Sequence, residues 1–130
     1  MIFDPAGHIK ISVSSIRKSK EFYKKLFGKL GFEQILDESE AAGWKTLQEF
    51  GIWIEQAGNP DYKYKFSAPG IHHLCFKSRS IEEVDKIHDF MAEQKIHIFD
   101  KPQHYPEYTE NYYAVFFDDP DGIKLEVAFY

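Results

Sequence analysis

The chain has 130 residues, with 16 Lys and Arg against 21 Asp and Glu, for a net charge of −5; this balance excludes a general binder of nucleic-acid backbones, which needs a basic footprint. Hydrophobic residues make up 43% and aromatics 17%, with 12 Phe and 8 Tyr, which excludes a disordered chain and favours an aromatic, sheet-rich core. No apolar run approaches the roughly 18 residues of a membrane span, and Cys75, the one cysteine, cannot form an internal disulfide.

In chain order, Met1–Pro5 carries neither a basic n-region nor an apolar stretch, so the expectation is a cytoplasmic protein of one domain. His8-Ile9-Lys10-Ile11-Ser12-Val13 alternates apolar and polar residues as a half-buried strand does. Ser15-Ile16 starts a helix with Ile16, Ser19, Phe22 and Leu26 on one face, running into Gly28 and Gly31. Phe32 to Leu36 is extended, and Gly43 to Phe50 with Gly51 to Gln56 reads as a hairpin. Residues 58–69, containing Gly58-Asn59-Pro60 and Ala68-Pro69, form a polar, Pro-punctuated connector.

The pattern then repeats. His73-Leu74-Cys75-Phe76-Lys77 matches the first strand at an offset of 65 residues. Ser80 and Glu83 form a capping-box pattern, and Ile81, Val84, Ile87 and Met91 repeat the apolar stripe of the first helix. Ile96 to Phe99 is extended. Tyr112 to Phe117 and Ile123 to Phe129 are strands joined by the turn Asp118-Asp119-Pro120-Asp121-Gly122. The expected fold is therefore α+β, with two βαβββ modules over about 6–57 and 70–130 in one domain.

Strand parity turns the repeat into a candidate site. With Ile9, Ile11 and Val13 toward the helix, His8, Lys10 and Ser12 take the opposite face; Leu74 and Phe76 leave His73 and Cys75 there, which selects His73 over His72. In the last strand of each half, Glu55 and Glu126 alternate with the apolar residues. Each module thus supplies one His and one Glu, and a twofold arrangement would converge His8, Glu55, His73 and Glu126. Two imidazoles and two carboxylates suit a divalent ion such as Ni, Zn, Co or Mn with open positions for substrate. A metal is also the simplest way to keep both carboxylates ionised in one cleft.

Gly7 to Val13, Ser19 to Phe32 and Asp119-Pro120-Asp121-Gly122-Ile123-Lys124-Leu125-Glu126 together resemble the glyoxalase/bleomycin-resistance/dioxygenase family, the vicinal oxygen chelate superfamily. The resemblance implies a cupped, incomplete barrel around a metal, and a homodimer. In the glyoxalase I branch the ligands are His or Gln, Glu, His and Glu, matching His8, Glu55, His73 and Glu126. By resemblance the activity is that of a lyase or isomerase, with Glu126 as the base, Glu55 as its counterpart, and a small carbonyl or hydroxy-carbonyl substrate. Ser12 stands where that branch has an Arg gripping glutathione, so a glutathione adduct is not carried over; Asn59 does match a glutathione-contacting Asn. The alternatives are a non-catalytic small-molecule binder, an epimerase, or a fosfomycin-resistance transferase, whose members generally lack a carboxylate at Glu55. The aromatic loop over residues 103–113 reads as either a lid or packing.

Overall fold

The computed structural model describes residues 7–130; the reading of Met1–Pro5 and the expected module start at residue 6 lie outside them. The chain divides into two compact units, the first ending at Lys63 and the second spanning Tyr64–Tyr130. The boundary falls inside the connector expected at 58–69.

In the first unit, β1 (His8–Val13) leads into α1 (Ile16–Leu30), β2 (Glu33–Asp37), β3 (Ala41–Lys45) and β4 (Gly51–Gln56). The sheet order is β1-β4-β3-β2, with β1 and β4 parallel and the other pairs antiparallel. Ser15 caps α1, its side chain accepting from the Lys18 amide, and Gly31 ends it with φ at 79°, a left-handed conformation that suits glycine. The helix buries Ile16, Ser19, Phe22 and Leu26 as the periodicity predicts, and also Tyr23 and Phe27. Those two rings pack on Trp44 of β3, with Phe27 and Trp44 centroids 5.1 Å apart. The hairpin forms, but β3 starts at Ala41 and ends at Lys45. Residues 46–50 turn instead, because the Thr46 hydroxyl accepts from the Phe50 amide and Glu49 takes φ of 64°.

The second unit repeats the plan with β5 (Leu74–Lys77), α2 (Ile81–Glu93), β6 (Ile98–His104), β7 (Tyr113–Asp118) and β8 (Lys124–Phe129), in the sheet order β5-β8-β7-β6. Val84, Ile87 and Met91 are buried, while Ile81 is only half-buried. Strand β6 is longer and later than the expected stretch over 96–99. It accommodates Pro102 because it lies at the sheet edge, where a missing donor costs no inner ladder bond. The turn into β8 is fastened by Asp119, whose Oδ1 accepts from the amides of Asp121 and Ile123, both at 2.8 Å, with Gly122 at φ of 81°. Each unit is therefore an open, four-stranded mixed sheet with one helix, in an α+β arrangement.

Candidate functional site

The second unit gathers the side chains with the most chemistry. Cys75 of β5 lies opposite Glu126 of β8 in parallel register, and His73 immediately precedes β5. His73 Nε2 is 3.0 Å from Glu126 Oε2, and the Glu126 side chain is 1% exposed. The Tyr112 hydroxyl donates to the other oxygen, Glu126 Oε1, at 2.7 Å. The carboxylate is thus held from two sides, by an imidazole and a phenol, with one oxygen committed to each. It is His73 that reaches Glu126; His72 touches His73 instead, Nδ1 to Nδ1 at 2.8 Å.

Burial and the neighbouring Glu126 carboxylate push the Cys75 thiol up to about 12. Cys75 is therefore a neutral thiol near pH 7 and makes a poor nucleophile. Burial, followed by the bond to Glu126, likewise pushes Tyr112 above the usual phenol range, so its hydroxyl remains a donor.

The first unit does not bring its expected pair together. His8 lies opposite Gly51 and Glu55 opposite Ser12, four residues apart along parallel strands, roughly 13 Å at the rise of a strand. Glu55 instead meets Lys10, Oε2 to Nζ at 2.8 Å, with its side chain 50% exposed. The register also separates the two glutamates in role. Lys10 lies opposite Trp53, as Cys75 lies opposite Glu126, so Trp53 and not Glu55 is the counterpart of Glu126. The Trp53 indole spreads over two glycines. A Cβ on Gly43 would lie 2.5 Å from its Cε3, and one on Gly51 would lie 2.9 Å from its Nε1 and 3.1 Å from His8 Cβ. Among the described residues no group of three or more His, Cys, Asp or Glu is assembled for a metal ion.

Two residues of this arrangement escape sequence reasoning. Parity cannot separate Trp53 from Glu55, since both point to one face. Tyr112 lies just before β7 in the aromatic loop, and only its place in that loop hints at a role.

Among the described residues no helix is long and apolar enough to cross a membrane. The profile of the Glyoxalase/Bleomycin resistance protein/Dioxygenase superfamily matches residues 6–127. The chain is 29% identical over 123 residues to the uncharacterized protein YqjT of Bacillus subtilis, covering 93% of this chain and 95% of that one. It is 30% identical over 124 residues to the metallothiol transferase FosB of Staphylococcus haemolyticus, covering 93% and 80%. The crystal structure of a candidate glyoxalase from Bacillus halodurans superposes with a TM-score of 0.83 at 26% identity, covering 97% and 96%. With a profile that spans nearly all of its length and a βαβββ plan repeated in both units, the chain belongs to the Glyoxalase/Bleomycin resistance protein/Dioxygenase superfamily.

Proposed function

We propose that the chain is a metal-dependent transferase joining a small thiol to a small electrophile. The observation that carries this reading is the parallel register: Trp53, not a second glutamate, is the counterpart of Glu126. A shell with one carboxylate suits a transferase better than a reaction that needs a second carboxylate as partner to the base. The similarity to a metallothiol transferase over 93% of the chain supports the same class.

The second unit's residues fit a divalent ion. A carboxylate buried to 1% exposure beside an imidazole nitrogen at 3.0 Å calls for a compensating positive charge, and O and N donors of this kind suit Mn, Ni, Co and Zn. In this proposal His73 and Glu126 hold the ion. The ion, when bound, supplies Lewis-acid polarisation of substrate oxygen. Tyr112 holds Glu126 Oε1 and so fixes the direction of Oε2. Cys75 remains protonated, so the sulfur to be transferred comes from an external thiol.

The test mixes metal-loaded protein with cysteine or glutathione and the epoxide fosfomycin, and follows products by mass. The expected product is the one-to-one adduct: the thiolate sulfur bonds to an epoxide carbon, the C–O bond breaks, and the freed oxygen takes a proton. No metal-dependent adduct with either thiol would overturn the reading.

A second reading, a lyase of glyoxalase type with Glu126 as base, is favoured by the similarity to the candidate glyoxalase. It predicts metal-dependent deuterium exchange beside the carbonyl of the methylglyoxal–glutathione hemithioacetal, with loss of that exchange in Glu126→Gln. A homodimer belongs to the same proposal, and a monomeric mass by light scattering at micromolar and higher concentration would remove it.

A further inference from the structure

Lys124 begins β8 two residues before Glu126 and so shares its face. It is 8% exposed, a rare placement for lysine. Its Nζ is 3.2 Å from the centroid of the Phe99 ring and 4.9 Å from that of Phe66. Among the described residues the carboxylate it pairs with is Asp118, Oδ1 at 3.4 Å, and Asp118 is bound more closely by His97, Oδ2 to Nδ1 at 2.7 Å. The ammonium is thus held by ring faces and one long, shared ion pair.

It opens onto a cleft of about 120 Å³ whose described lining residues all belong to the second unit, among them His73, Phe99, Phe116 and Tyr105. Asp100 also lines the cleft, while the Tyr105 hydroxyl accepts from Gln103 Nε2 at 3.2 Å. The rim is apolar. Phe66 (40% exposed), Phe99 (52%) and Tyr108 (59%) are three of the seven exposed large hydrophobic residues among those described, and all three line this cleft. Exposed aromatic groups concentrated around one concavity into which a largely buried ammonium opens are the signature of a ligand site.

We propose that this cleft takes a small organic anion with a flat, unsaturated body, its carboxylate on the Lys124 ammonium and its body against Phe99 and Phe116. An anion gains from the buried cation what a neutral analogue cannot, and a cationic analogue meets a like charge. The aromatic walls favour a ring over a flexible chain. Because His73 lines the same cleft, the inference deepens the proposed function by naming the substrate class; its test is independent of the metal.

The experiment titrates the EDTA-treated full chain with benzoate, benzyl alcohol and benzylamine and follows backbone amide signals. Benzoate is expected to give saturable shifts at Lys124, Phe99 and Phe116 and to bind about tenfold or more tightly than benzyl alcohol; benzylamine is expected to give none. Lys124→Met removes the charge at similar length and should abolish the preference for benzoate, while Lys124→Arg should retain it. The comparison of the three ligands on the unaltered chain keeps the test intact even if a variant folds poorly. Equal affinity for benzoate and benzyl alcohol, shifts confined to other parts of the chain, or no saturable binding would each overturn the proposal. Since no metal or thiol is present, these outcomes say nothing for or against thiol transfer.

Discussion

Gly43→Ala tests whether the Trp53 indole occupies the face of the first sheet on which a second glutamate would be needed. The new Cβ would lie 2.5 and 2.6 Å from Cε3 and Cζ3 of Trp53, and 3.0 Å from its Cδ2. These are atoms of the rigid fused ring, so relief requires the whole indole to turn. The ring also crosses Gly51, with His8 Cβ beside it, which leaves little room to turn without losing contact. Overpacking of this kind costs ~1–3 kcal/mol, and replacing Gly with Ala in a strand returns ~0.5–1 kcal/mol of backbone entropy. The net expectation is destabilisation by about 1 kcal/mol. Urea unfolding followed by tryptophan fluorescence reports this unit selectively, because both tryptophans, Trp44 and Trp53, lie in it. The stronger test is the double-mutant cycle. In a Trp53→Ala background the clash is absent, so Gly43→Ala should become stabilising, with Trp44, 1% exposed, as the remaining reporter. A neutral or stabilising Gly43→Ala in the unaltered chain, with no change of sign in the Trp53→Ala background, would refute the packing argument.

Ser80→Ala removes the side chain that accepts from the Glu83 amide at 3.3 Å and should cost ~1 kcal/mol of stability, read as a lower urea midpoint for the second unit by tyrosine fluorescence. Asp37 is held below its ordinary value of 3.8, chiefly by its hydrogen bond from Lys20. Its contribution is therefore present above pH 3.8 and lost as pH falls through the lower folded value. Asp37→Asn should flatten that part of the acid limb of a stability-against-pH curve and leave the shape above pH 6 unchanged. An acid limb of unchanged slope would remove the Lys20 pairing from the account.

The parts of this fold legible in the sequence are those set by local chemistry. Ser15 and Ser80 announce their helices, Gly31 ends one, and Asp119 with Gly122 folds the turn that delivers β8. The apolar stripes and strand parity assign the faces, including the one shared by Cys75 and Glu126. Register is where the reading fails. A period of two says that Trp53 and Glu55 share a face but not which of them pairs with β1 at the level of Glu126. The repeat offset is 65 between His8 and His73 but 73 between Trp53 and Glu126, because the segments between the strands differ in length. Glu55 at the last strand's cleft face therefore passes for a counterpart, although it faces Ser12 and pairs with Lys10. Tyr112 is illegible for another reason: its bond to Glu126 depends on how the aromatic loop folds back, which no local pattern records.

The most direct test of the account is the metal affinity of three single variants by calorimetry on chelator-stripped protein. His73→Ala and Glu126→Gln should each weaken Mn or Zn binding by about 100-fold, in keeping with the loss of a direct ligand, while Glu55→Gln should change it by less than about twofold. Loss of binding in Glu55→Gln equal to that in Glu126→Gln would contradict the account, because it would require the carboxylate paired with Lys10 to serve as a ligand.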